Sequence, residues 1–506
     1  MVETLNQSYA DPLQETLLSS MGWRLGITFS VVALLYLDPI PQSMALNSLD
    51  LATSLVDHGS LELDEYRGVD VAVRDGRIFS GMPPGAAFVA ALVYGLTHSL
   101  FHLVPSDLAL PVLYVLCTVL VGIPAGAITV YLVYRMAVRW GASVRNASLT
   151  AGLLAFGTMH LGYATGFYKK TLAAACLMGA FTLLMSIQRS RHGVSRASLA
   201  GLLCGLAIGL DYPSALIVAV LTGSFLWLRP EAKAVAGFYT GAGITLLPVL
   251  LYHHAAFGSP WFTAYRFRTD LTANTLGWPQ PGPFIFLLVT FVAASPCLMW
   301  SAVGWWRAFK KQDRRVEMVA IAGIVLVMLV FFSGWATVYP HEASFASRLL
   351  LPVLPFAVLP MAFGLPADLK GWPLAVIGWS VAATFLATQA SMIPSGTIPP
   401  LYALKVLGTS WGTGPLFSET LAGWLNLPTL HVMIVKGMAT TSALLQPENR
   451  DLFMKFLLGQ LLIKIVSLTV TVAMGYLLWR FIWRPVLSSQ DWGTVRGVFQ
   501  NSKEAI

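Results

Sequence analysis

Long apolar runs separated by short, mostly basic loops dominate this chain of 506 residues. The run LALPVLYVLCTVLVGIPAGAITVYLVY, 108–134, shows the pattern best. About eighteen or more consecutive apolar residues are enough for a helix to cross a bilayer. The same pattern predicts spans at 22–38, 108–134, 147–166, 171–188, 197–210, 213–228, 233–253, 284–306, 317–337, 349–365, 372–393 and 458–481. The expected fold is an all-α polytopic membrane protein with about 12 transmembrane helices. No repeat of solenoid length interrupts the pattern.

The loops orient these spans. RMAVRWGASVR (135–145), QRSRHGVSR (188–196), RPEAK (229–233), RAFKKQDRR (307–315) and WRFIWRP (479–485) are basic and fall on one side. The positive-inside rule makes that side cytoplasmic. GFYKK, DYP, HHAAFGSPWFTAYRFRTD and VYPHEASFASR fall on the other. Residues 85–104 are long enough to cross, which would place the N-terminus outside. If they lie on the membrane surface, the N-terminus is inside and the loop before them is external. That loop, 39–83, carries seven acids and three bases. Acids weigh little in topology, so both arrangements stay open on charge alone.

Composition supports the class. Hydrophobic residues make up 56% and charged residues 11%, against about 25% charged in a soluble domain. The mean hydropathy is +0.68. The net charge of +8 sits in the short loops and is read as topology, with no nucleic-acid partner. Cys117, Cys176, Cys204 and Cys297 lie inside apolar runs without metal-ligand spacing, which predicts plain burial. The first residues lack a basic segment followed by a cleavage site, so 1–21 is expected to be a retained cytoplasmic tail.

Several short stretches carry a resemblance. DGRIFSGMPPGAAF (75–88) follows an acidic loop and leads into 85–104. Later come GLAIGLDYPSAL (205–216), AAFGSPWFTAY (255–265) and EASFASRLLLPVLPF (342–356). Their order resembles the GT-C superfamily of membrane glycosyltransferases, and in particular the bacterial relatives of protein O-mannosyltransferases and the lipid A aminoarabinose transferase. The resemblance implies a GT-C-like module over 22–393, including a long external first loop, 39–107, that carries juxtamembrane helices. It leaves 394–457 as an external loop or membrane-surface region, and 458–506 as a last transmembrane helix and cytoplasmic tail. Two departures stand out. Met82 replaces the lysine before the Pro-Pro pair, and the usual acidic residue early in the loop is matched only by the nearby Asp50.

The resemblance implies transfer of a sugar from a polyprenyl-phosphate donor to a lipid, glycan or protein acceptor. The expected location is the external face of a bacterial inner membrane. An inverting transfer needs a base beside the acceptor hydroxyl and cations on the leaving phosphate. Asp50 is the first candidate for the base, against the plain reading of a solvated helix residue. Asp38 is the second, against a helix terminator ahead of Pro39. Asp64, Glu65 and Asp70 read as loop surface. Lys169 and Lys170 stand on the side where the positive-inside rule disfavours them, so they call for an anion unless they merely snorkel. Arg348, Arg74 and Arg77 are further phosphate candidates, the last two because they flank the motif that lacks its lysine. Tyr168, His341, Glu342 and Arg266 complete the expected substrate contacts. Arg348 could instead pair with Glu342, and Arg268 with Asp270. No metal motif and no glycine-rich phosphate loop occurs, so neither a metal nor another cofactor is expected. The rival functions are a lipid-linked polysaccharide polymerase or ligase, and a transporter or flippase. The transporter is disfavoured by the scarcity of charges inside the spans, Lys464 being the clearest, and by the lack of an inverted repeat.

Overall fold

The computed structural model describes residues 12–37, 43–63, 70–187, 192–268, 277–311, 314–335 and 348–390, together with Ala473, Tyr476 and Arg480. The chain forms two compact units, Met1–Gly423 and Trp424–Ile506, and every element below lies in the first. Helix α1 (Pro12–Leu35) is followed by α2 (Ser43–Asp57), strands β1 (Val71–Arg74) and β2 (Arg77–Ser80), and α3 (Gly85–Phe101). Next come α4 (Ser106–Cys117), a π-helical segment (Thr118–Gly122) and α5 (Ile123–Arg139), then α6 (Val144–Phe156), α7 (His160–Ala164) and α8 (Lys169–Leu184). Helices α9 (Gly193–Leu210), α10 (Ser214–Trp227) and α11 (Ala232–Phe257) lead to a 3-10 turn at Ala264–Phe267. The remainder is α12 (Pro281–Ala294), α13 (Met299–Phe309), α14 (Arg315–Ser333), a 3-10 segment (Arg348–Val353), α15 (Leu354–Val358), α16 (Met361–Gly364) and α17 (Trp372–Ala390).

Among the described residues, four helical runs are long and apolar enough to cross a membrane: Leu108–Arg139, Gly193–Leu210, Ala232–Phe257 and Arg315–Ser333. A fifth is counted if the pair Pro281–Ala294 and Pro296–Phe309, bent by 105°, is one span. The chain is thus an integral membrane protein. Fewer uninterrupted spans form than the apolar pattern predicts, and the breaks have local causes. The run 147–166 is split at Gly157, and 284–306 bends where Pro296 follows Ser295. The run 349–365 becomes three short pieces, punctuated by Pro352, Pro355 and Pro360, because proline cannot donate the helical hydrogen bond. The expected regions 394–457 and 458–506 lie outside the described residues, apart from the three residues named above.

The ambiguous segment 85–104 forms α3, whose 17 residues stand at the lower limit of about 17–25 for crossing. Its Ala86, Ala87 and Ala90 are buried, whereas Leu92, Leu96, Leu100 and Leu103 are exposed at helical spacing. Asp57 ties α2 to α3: it accepts from the Tyr94 hydroxyl at 3.1 Å and lies 3.1 Å from His98 Nε2.

The all-α expectation needs one amendment, because residues 71–80 form an antiparallel hairpin. Val71 pairs with Ser80, and Arg74 with Arg77. Asp75 and Gly76 both have positive φ, 52° and 78°, as a two-residue primed turn requires. Val71, Ala72 and Phe79 of the hairpin pack in one buried cluster with Leu51, Leu63, Tyr252 and Phe257. This cluster fixes the hairpin against α2 and the end of α11. The strand then delivers Gly81, Met82 and the two prolines, all buried, to the base of the site.

Candidate active site

The site is built on the turn between α7 and α8. Tyr168 is extended (φ −115°, ψ 114°), and Lys169 and Lys170 are the first two residues of α8. No side chain caps this N-terminus. Two lysines at the positive end of a helix dipole are unfavourable by themselves, because that end attracts anions. Both are nonetheless buried, at 6% and 5% exposure.

Consecutive helical residues point about 100° apart, and the two lysines meet different partners. Lys170 Nζ lies 2.9 Å from Asp211 Oδ1. Asp211 occupies the junction of α9 and α10 and also accepts from Ser214 Oγ at 3.4 Å. Lys170 lies 5.6 Å above the Phe332 ring as well. Its charge is therefore taken up by a buried ion pair. Lys169 Nζ instead faces Met82 Sδ at 3.0 Å. An ammonium has three N–H donors and a thioether is a weak acceptor. The Lys169 cation thus meets the very residue that replaces the proline-motif lysine.

A second ion pair completes the cluster. Arg268 is paired with Asp70, and its guanidinium lies 6.0 Å from the Tyr265 ring. Asp70 is not loop surface, as the sequence suggests, but buried with positive φ. Its carbonyl accepts from Asn47 Nδ2 at 2.8 Å and from the Gly81 amide at 2.9 Å, which joins α2 to both ends of the hairpin. Burial pushes the Lys169 amine down to about 7, with Asp211 and Asp70 opposing the shift and Lys170 and Arg268 adding to it. Among the described residues, Lys170 pairs with Asp211 and Arg268 with Asp70, and no carboxylate lies within hydrogen-bond distance of Lys169. Burial pushes the neighbouring Tyr265 phenol well above its ordinary range, and Asp211 adds to the shift, so it remains neutral.

Lys169 borders a small cleft of about 10 Å³, the room of a single water, lined by Ala45, Ser48, Ala86, Phe167 and Tyr168. The walls from α2 and α3 are small residues, and the far wall is Tyr168, stacked on Tyr163 at 4.9 Å between centroids. The turn carrying this wall is held by close contact. A Cβ on Gly166 would overlap the Tyr114 hydroxyl, and one on Gly122 would press on Gly166 O at 3.1 Å. Gly122 ends the π-helical segment. Gly166→Ala is expected to destabilise the fold by about 1–3 kcal/mol through overpacking. Adding Tyr114→Phe should recover most of the lost melting temperature. No recovery in the double variant would place the strain elsewhere.

The other sequence candidates are spread out. Asp50 is buried on α2 at 8% exposure, so it is not a solvated helix residue. It stands about 200° around the helix from Ser48, off the face that lines the cleft. Arg74 Nε pairs with Asp75 at 3.2 Å and its Nη1 donates to Ala256 O at 3.4 Å. Arg77 pairs with Glu62 at 3.4 Å, both well exposed. These two arginines occupy the hairpin tip and do not line the cleft. Arg266 lies 4.2 Å from the Phe262 ring. Arg348 opens the 3-10 segment that packs on α8. Asp38, His341 and Glu342 lie outside the described residues. Among the described residues, no group of three His, Cys, Asp or Glu is placed to hold a metal.

Asp211, Asp70 and Arg268 are the site residues that sequence reasoning passed over. Asp211 had a signal: a lone carboxylate between the apolar runs of α9 and α10 is costly and implies a buried partner. Asp70 and Arg268 are 198 residues apart and carry no local signal of their pairing.

No family model and no curated protein matches the chain. Among solved structures, it is similar to ArnT from Cupriavidus metallidurans bound to undecaprenyl phosphate, with a TM-score of 0.48 and 15% identity over 84% of this chain and 72% of that one. The apo state of the same protein gives a TM-score of 0.48 and 15% identity over 85% and 72%.

Proposed function

We propose that this chain is a membrane glycosyltransferase that moves a sugar from a polyprenyl-phosphate donor to an acceptor at the external membrane surface. The observation that carries the reading is the Lys169 ammonium, buried at a helix N-terminus, lining a cleft, and facing only a thioether within hydrogen-bond reach. Such a group calls for an anion. A sugar joined to a polyprenyl phosphate supplies such an anion, as a phosphodiester.

In the proposed reaction an acceptor hydroxyl oxygen attacks the anomeric carbon while the bond from that carbon to the phosphate oxygen breaks. The bonding pair leaves with the polyprenyl phosphate, which gains one negative charge. Lys169 and the first amides of α8 stabilise that charge as it develops. The acceptor proton passes to a carboxylate, for which Asp50 is the proposed base. The sequence order of acidic loop, hairpin and proline motif supports an external site, with α3 lying along the membrane surface.

The test is direct. The purified full chain, given a synthetic polyprenyl-phosphate sugar and cell-envelope acceptors, should release polyprenyl phosphate. Native mass spectrometry should also show the donor bound to the wild-type chain and depleted in Lys169→Met. Equal donor occupancy in wild type and Lys169→Met would remove the phosphate from this cleft. Failure of any polyprenyl phosphate to bind would remove the reading itself.

A further inference from the structure

The last turns of α11 carry the adjacent histidines His253 and His254, which the proposed reaction leaves without a role. His254 is exposed, whereas His253 is buried at 3% exposure. The His253 ring meets two partners. Nδ1 lies 3.2 Å from Pro260 O, and Nε2 lies 2.7 Å from the Tyr212 hydroxyl. A carbonyl oxygen only accepts, so Nδ1 carries the ring hydrogen. Nε2 is then the bare acceptor, and the Tyr212 hydroxyl donates to it. Both bonds coexist only while the imidazole is neutral. A proton on Nε2 would face the Tyr212 hydrogen.

These bonds hold one loop. Gly258 closes α11 with φ 75°, and the turn brings Pro260 back to His253. Other hydrogen bonds of the loop are internal. Phe262 N donates to Ser259 O at 3.2 Å, Trp261 N to Ser259 Oγ at 3.4 Å and Arg266 N to Thr263 O at 3.1 Å. The loop then delivers two residues to the Lys169 cluster. Tyr265 packs edge-on against Tyr212 at 5.3 Å between centroids, and Arg268 pairs with Asp70. Tyr212 thus touches both the histidine and a residue that the loop presents to the site.

The surroundings offer an imidazolium no counter-ion. At the α9–α10 junction Tyr212 is a phenol, and Asp211 beside it is taken by Lys170 at 2.9 Å. From the loop come the Tyr265 phenol, Arg266 against the Phe262 ring, and Arg268, paired with Asp70. From the hairpin comes Arg74, which donates to Ala256 O and pairs with Asp75. On α11 itself the neighbours are Tyr252 and His254. Among the described residues, no carboxylate stands within ion-pair distance of His253.

We infer that His253 is a pH-sensitive latch on the 259–268 loop. Neutral, it holds Tyr212 and Pro260 together and so seats Tyr265 and Arg268 beside Lys169. One proton gained at Nε2 breaks the bond from Tyr212 and frees the loop. The latch therefore holds at neutral and alkaline pH and is lost as pH falls and the imidazole charges. The loop's response is independent of the proposed reaction, whereas its consequence for the donor rests on that reading.

The test follows hydrogen–deuterium exchange of the full chain in mild detergent at about pH 8 and about pH 5, with rates corrected for their intrinsic pH dependence. Protection of 259–265 should fall about three- to tenfold at the acid pH, the loss of one hydrogen bond, while α9 stays unchanged. His253→Gln keeps a donor and an acceptor but does not titrate, so its loop should stay protected at both values. Tyr212→Phe should loosen the loop already at the alkaline value. Equal wild-type protection at both values, or an equal fall in His253→Gln, overturns the latch. If His253→Gln does not fold, Tyr212→Phe decides: a loop as protected as in the wild type at the alkaline value overturns it. A parallel arm measures binding of a synthetic polyprenyl-phosphate sugar by native mass spectrometry. Acid should weaken binding to the wild type. His253→Gln should hold or tighten it, because Lys169 gains charge over the same range. A pH-dependent loop with no donor bound at either value keeps the latch and removes the transferase reading. A bound donor with a pH-independent loop does the reverse.

Discussion

Lys169→Met is expected to lower donor turnover by about ten- to a hundredfold while leaving the melting temperature unchanged or raised. One charge-assisted contact contributes about 1.5–3 kcal/mol, which sets that range. Stability should not fall, because the substitution removes a buried cation that meets only the Met82 sulfur at 3.0 Å. The adjacent lysine should behave in the opposite way. Lys170→Met leaves Asp211 buried without its 2.9 Å partner. Breaking one side of such a pair costs about 3–5 kcal/mol. Lys170→Met/Asp211→Leu should recover most of that loss, because no unpaired charge remains. Exchanging the contact, Met82→Lys with Lys169→Met, should restore most of the turnover lost in Lys169→Met alone. Melting curves and donor-consumption rates on the same preparations check the set. A Lys169→Met protein with normal turnover would reduce that lysine to a packing element.

Asp50→Asn is expected to slow transfer by about 10²–10⁴-fold with donor binding intact, the range a general base contributes. The side chain keeps its shape and loses its charge and proton affinity. Burial supports the prediction, since Asp50 is 8% exposed rather than solvated. Its place on α2, off the face that carries Ser48, makes the outcome informative. Asp38→Asn is the comparison and should have the smaller effect if Asp38 only ends the first helix. Near-normal transfer by Asp50→Asn, with loss in Asp38→Asn, would move the base to the start of the loop. Normal transfer in both would leave proton removal to another group.

The sequence by itself determined the membrane class and marked Lys169, Lys170 and the MPPG turn as candidates. These are local properties. Apolar run length follows from bilayer thickness, and a lysine pair on the disfavoured side is costly wherever its neighbours are. The Asp75–Gly76 turn was also written locally, flanked by VAVR and RIFS. It read as a polar loop because two strands of four residues each are not stable alone. Only packing on Leu51, Tyr252 and Phe257 makes them a hairpin. What tertiary structure alone decided is which charge meets which. Lys169 and Lys170 are neighbours in sequence, yet the helical twist sends one to Asp211 and the other to Met82. Asp70 finds Arg268 across 198 residues, although Asp270 stands closer in sequence. Ion pairing depends on distance in space and on shared burial. Neither is encoded in a local pattern, so the partners of these charges became readable only once the chain was folded.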